Sequence, residues 1–152
     1  MLRDTLNQAM KDAMKNKDAR RLGTIRMVLA AIKDKDIAAR TSAEVREGID
    51  DGAILSLLQN MVKQRRESAA AFETGGRMEL ATQEKEEIAI IESYLPQQLS
   101  DAEVEAAAKA AIAESGAASI KDMGKAVAIL KAKYAGQMDF GKAAAILKAQ
   151  LS

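Results

Sequence analysis

The chain has no cysteine, no histidine, no tryptophan and a single proline, and aromatic residues make up only 3% of it. Lack of cysteine rules out disulfides, thiol nucleophiles and thiol redox chemistry, and with histidine also missing no Cys/His zinc site can form. The side chain that ordinarily serves as general base near neutral pH is missing as well. No uninterrupted apolar run approaches the ~20 residues that cross a bilayer. The opening stretch MLRDTLNQAMKDAMKNKD mixes both charge signs and has no apolar signal-peptide core. These features predict a cytoplasmic protein with no membrane partner.

What remains is strongly helical. Of the 152 residues, 48% are hydrophobic and 30% charged, with 8 methionines. A core of Leu, Ile, Val and Met in helices is expected, in an all-α fold. Leu2, Leu6, Met10 and Met14 recur every fourth residue as one apolar stripe. That stripe is read as core filling; an adaptable partner-binding groove is the alternative. Asp18 is a candidate N-cap for a second helix that buries Leu22, Ile25, Leu29 and Ile32. Ser42 is placed to cap a long third helix from Ala43 to about Phe72, weakened near its start by Gly48 and Gly52. Gly75 and Gly76 end it. A fourth helix is expected from about Met78 to Ser93, with Leu80, Ile88 and Ile91 inward and early acids favoured by the helix dipole.

The lone Pro96 stands in ESYLPQQLS. It disfavours helical geometry at Leu95, so the fourth helix stops near Tyr94. Ser100 and Glu103 follow at capping-box spacing and open the next helix. The connector predicts a boundary between an elongated N-terminal helical domain, residues 1–95, and a compact C-terminal three-helix domain, residues 98–152. In the latter, Gly116 and Gly136 end helices, Ser119 and Asp122 repeat the capping-box spacing, and Asp139 caps the last helix. KAVAILKAKYAG and KAAAILKAQLS resemble each other. Duplication and convergence of Ala-rich helices are both open.

Charge is uneven beneath a net of +1. Residues 1–40 hold ten Lys/Arg and five Asp/Glu (+5), residues 41–119 seven and fifteen (−8), and residues 120–152 six and two (+4). The last block supplies the nucleic-acid-binding candidates: Lys121, Lys125, Lys131, Lys133, Lys142 and Lys148. Lys121 and Lys125, four apart, are expected on one helical face near its start, beside Gly124; Gly141 stands beside Lys142. Phosphate neutralisation requires only such point charges; a solvated lysine face is the structural alternative. Tyr134 and Phe140 are the only aromatics there, so stacking on bases is not expected. Lys63, Arg65 and Arg66, and likewise Arg20, Arg21 and Arg26, are read mainly as ion-pair partners of nearby acids, with a secondary nucleic-acid or protein contact as the alternative.

Several segments together resemble a known family: RLGTIRMVLAAIK (21–33), MVKQRRESAAAFETGGRMELATQEKEEIAIIESYLPQQLS (61–100), IKDMGKAV (120–127) and GQMDFGKAAAILKAQL (136–151). They are similar to the YqeY proteins, stand-alone members of the GatB/YqeY group. The resemblance implies an N-terminal helical domain and a C-terminal domain like the tail of the B subunit of glutamine-dependent aminoacyl-tRNA amidotransferases. In that enzyme a separate body carries the chemistry and the tail helps grip tRNA. The implied partner is therefore tRNA or a tRNA-handling enzyme, with no cofactor or metal. A carbon–nitrogen ligase with glutamine as amido-N-donor is the alternative, as is a protein-interaction module. The residues argue against autonomous catalysis: there is no GxxxxGK[ST] loop, and ETGGR is not one. Glu84, Glu86 and Glu87 could ligate Mg²⁺ in principle, but adjacent helical acids diverge.

Overall fold

The computed structural model describes residues 1–40 and 48–152. The expected cap Ser42 and the first expected turn of the third helix lie outside them. The described residues are all-helical: seven α-helices and one short 3₁₀ turn. The chain divides into two compact units, residues Met1–Leu95 and Pro96–Ser152.

The first unit holds α1 (Leu2–Lys15), α2 (Ala19–Ala39), α3 (Asp51–Thr74) and α4 (Met78–Glu92). Asp18 caps α2 by accepting from the Arg21 backbone N–H. The main packing is α4 on α3 and α1 on α2, with α2 also against α4. Leu6, Val28, Ile32, Ile54, Leu58, Met61, Val62 and Ile91 form the core, and Tyr94 and Leu95 pack against it. Two expected faces are corrected. On α1, Leu6 and Ala13 are buried while Met14 is 51% exposed. A stripe spaced by four drifts about 40° per step on a helix of 3.6 residues per turn, so Met14 has rotated away from the core. On α2, Thr24 and Val28 join Ile25 and Ile32 in the core, while Leu22 and Leu29 stay at its margin.

The start of α3 is also corrected. Gly48 to Asp50 are not helical, and Asp50 caps the helix by accepting from the Ala53 N–H. A local clamp decides this. Arg3 grips Asp36 through two N–H groups at 2.8 and 3.0 Å and also donates to the Ile49 carbonyl. Ile49 N–H donates back to Asp36 at 2.8 Å. Gly48 has φ +91°, and a Cβ there would lie 2.7 Å from the Asp36 carboxylate. Glycine at this position thus admits the clamp and cannot be read as a weak helix residue.

The guanidinium and the Ile49 amide hold the Asp36 carboxyl below its ordinary pKa. A group whose folded pKa is depressed contributes stability above its unfolded pKa and loses it as pH falls through the folded value. Asp36→Asn is therefore expected to be less stable than wild type at neutral pH. The gap should close below about pH 4, where the unfolded-state carboxyl protonates. Urea unfolding at stepped pH measures this; a gap unchanged down to pH 2 would remove the clamp from the account.

The second unit holds α5 (Asp101–Ser115), a 3₁₀ turn (Ile120–Asp122), α6 (Met123–Tyr134) and α7 (Phe140–Leu151). Ser100 and Glu103 form the full capping box, and Gly116 ends α5 with φ +69°. The expected capping box at Ser119 is absent: the Asp122 carboxylate instead accepts from the Ala118 N–H, and the chain makes a 3₁₀ turn before α6. Asp139 caps α7 by accepting from Gly141 N–H. After Pro96 the connector is fastened by Gln98 to the Gly136 carbonyl and by Leu99 N–H to the Gln137 carbonyl. The core is small-residue rich: Val104, Ala107, Ala108, Ala111, Ala126, Leu130, Met138, Ala143 and Leu147.

Candidate nucleic-acid interface

All six candidate lysines are exposed. Their places differ in a way that sorts them. Lys131 and Lys133 lie in the last turn of α6 and Lys148 in that of α7. Cations there complement the negative end of the helix dipole, so these positions have a structural reason. Lys133 also pairs with Glu114 of α5, and that hydrogen bond raises the pKa of its ammonium. Lys125 and Lys142 sit in the first turns of α6 and α7. The dipole disfavours a cation there by a few tenths of a kcal/mol to about 1 kcal/mol. Neither forms an ion pair among the described residues. Lys121 stands in the 3₁₀ turn, so the expectation that it shares one α-helical face with Lys125 is corrected.

The similarity between the last two helices becomes positional. Ala126 and Ala143 are buried, as are Leu130 and Leu147, each pair 17 apart. At the same offset, Lys125 matches Lys142 and Lys131 matches Lys148, all exposed. Six residues on a helix turn through about 240°, so Lys125 and Lys131 lie about 120° apart around α6. The set is therefore two equivalent groups at helix starts and two at helix ends, with no single stripe along either helix.

In the first unit the basic clusters are largely consumed by acids of α4. Arg65 of α3 donates to Glu87 at 3.1 Å, and both side chains are largely buried. Arg20 reaches Glu86 and Glu87, and Arg66 pairs with Glu92. Arg21 bonds the Tyr94 hydroxyl. Glu86 and Glu87 are thus held by arginines, and no group of three potential ligands is gathered among the described residues. The burial of Glu87 was not expected from the sequence; a carboxylate between two arginine-bearing helices has no local signature. An open groove of about 590 Å³ between α2 and α4 is lined in part by Arg20 and Glu87, and one of about 340 Å³ between α3 and α4 in part by Arg66 and Glu92.

A family model described as "Yqey-like protein" matches residues 3–151. Among curated relatives, "Altered inheritance of mitochondria protein 41, mitochondrial" of Eremothecium gossypii is 37% identical over 90 residues, covering 59% of this chain and 46% of that protein. The protein of the same name from Lachancea thermotolerans is 36% identical over 103 residues, covering 66% and 52%. That from Candida glabrata is 33% identical over 91 residues, covering 60% and 48%. The chain spans about half the length of the curated relatives it matches. The cytoplasmic expectation is overturned here, because these relatives are named as mitochondrial proteins. Its premises were too weak: a cysteine-free composition without a long apolar run suits the interior of an organelle equally well. Among the described residues, no helix is long and apolar enough to cross a membrane.

Proposed function

The chain belongs to the Yqey-like protein family, and from that premise we propose that it is a non-catalytic accessory module that holds tRNA through its C-terminal unit. Residues 1–95 and 98–152 act as separate domains in this reading, and chemistry on the tRNA falls to a partner enzyme. For the place of action, the naming of the relatives favours mitochondria.

One observation carries the reading. Lys125 and Lys142 occupy equivalent first-turn positions where they oppose the helix dipole and hold no carboxylate among the described residues. The Gly141 N–H at the start of α7 is held by Asp139, and the 3₁₀ turn before α6 takes up the Met123 N–H, so it is the lysine charges that suit a phosphate. Glycine precedes each lysine, so an RNA backbone meets no Cβ at that point: open space surrounds Gly124, and Gly141 approaches only the Asp139 carboxylate.

Filter binding of the purified protein to total tRNA across salt steps tests it. Each phosphate contact contributes roughly 0.7–0.9 to the slope of log affinity against log salt. The Lys125→Gln/Lys142→Gln double variant is expected to lower that slope by about 1.4–1.8 and to melt no lower than wild type. A wild-type slope in the variant would sink the assignment. Amide transfer from glutamine to misacylated tRNA by the purified protein with ATP would favour the ligase alternative.

A further inference from the structure

We propose that the outer face of α2 is a second RNA-backbone contact, made by Arg26, Lys33 and Arg40; this rests on the RNA-binding reading above and extends it to the N-terminal unit.

The pairing pattern of the arginines points there. Among the described residues, Arg3, Arg20, Arg21, Arg65, Arg66 and Arg77 each hold a carboxylate. Among the described residues, Arg26 and Lys33 form no ion pair, and neither does Arg40, the C-cap of α2, although its charge helps to lower the pKa of Asp36. These three share one line. Positions 26, 30, 33, 37 and 40 follow alternating steps of four and three, which keeps them on one side of a helix. All five are exposed, opposite the buried Thr24, Ile25, Val28 and Ile32. The line contains no acid: Ala30 and Ile37 stand between the cations, and Ile37 is 52% exposed.

The cations recur every seven residues, a rise of roughly 10 Å along the axis, over a total of roughly 20 Å. A linear row of positive groups without interleaved acids matches a polyanion. A partner helix would be held chiefly by apolar residues on the line, and Ile37 is the single large one. Arginine at two of the three positions adds donors that fit phosphate oxygens in pairs.

The test uses the intact protein, total tRNA and salt steps from about 50 to 200 mM. The Arg26→Gln/Lys33→Gln/Arg40→Gln variant is expected to reduce the salt slope by two to three and to weaken binding at low salt on the order of tenfold or more. Its melting curve should match wild type, since none of the three side chains packs in the core. An unchanged slope and affinity in this variant, beside a loss in Lys125→Gln/Lys142→Gln, overturns the α2 contact and leaves the C-terminal reading standing. Loss confined to the α2 variant does the reverse. No salt-dependent complex with the wild-type protein removes both. A variant that keeps its slope but loses a co-purifying acidic protein makes the line a protein seam and overturns the proposal.

Discussion

Leu130→Ala is expected to abolish cooperative folding of residues 96–152 while α1 to α4 stay folded. Leu130 is 1% exposed, in a core of nine buried residues of which five are alanine. Val104, Leu130, Met138 and Leu147 are therefore the larger side chains among those nine, with partly buried Leu99, Ile112, Ile129, Phe140 and Ile146 among the hydrophobics packed around them. Truncating a fully buried leucine costs about 2–5 kcal/mol, through lost transfer energy and the cavity left behind. A unit below about 70 residues without disulfide or metal rarely has more than about 3–5 kcal/mol in total. The two quantities are comparable, so one side chain decides the outcome. Alanine-rich helices also have closely spaced axes and little slack for refilling the hole. Hydrogen exchange reads this directly. Amides of α5, α6 and α7 should lose protection while those of α2 to α4 keep it. Full protection of α6 in the variant would show that the small unit draws its stability from elsewhere, and tRNA binding should fail together with the protection.

The second large effect is expected at Glu87. Arg65 and Glu87 retain 14% and 9% of their side-chain exposure, and Arg65 donates at 3.1 Å. Deleting the carboxylate leaves a largely buried guanidinium with the Met61 carbonyl and the Met27 sulfur as its remaining acceptors. Breaking a buried pair from one side costs about 3–5 kcal/mol. The exposed Arg77–Glu79 pair is a useful contrast, at 63% and 69% exposure. Such a surface pair contributes about 0–1 kcal/mol. Urea denaturation should therefore separate Glu87→Ala from Glu79→Ala by at least about 2 kcal/mol. The double variant Arg65→Met/Glu87→Leu should recover most of the loss, because it removes both charges and refills the space with apolar atoms. If the double variant is as unstable as Glu87→Ala, the cost lies in packing and the ion pair is not its source.

These two sites differ in how visible they are along the chain. Leu130 sits in a helical apolar pattern that any reading of period 3.6 finds. Glu87 lies in a run of charged residues, where a surface role is the ordinary expectation, yet α4 turns it inward toward Arg65 and Arg20. The partners stand 22 and 67 positions away in the sequence, on α3 and α2. The lysine candidates fall between these cases. Their exposure is readable from charge alone, but their division into helix-start and helix-end groups required the 3₁₀ turn that displaces the start of α6 to Met123.

The chain by itself determined that the fold is helical and where most helices begin and end. Capping is local: Asp18, the Ser100–Glu103 box, Gly116 and Asp139 act within a few residues of themselves, so short-range chemistry sufficed. Tertiary structure alone decided that Asp50 opens α3 behind the Arg3–Asp36 clamp, and that Glu87 is buried while Arg26 and Arg40 form no ion pair among the described residues. Each of those outcomes depends on groups brought together from distant parts of the chain, and no local pattern encodes which charge meets which.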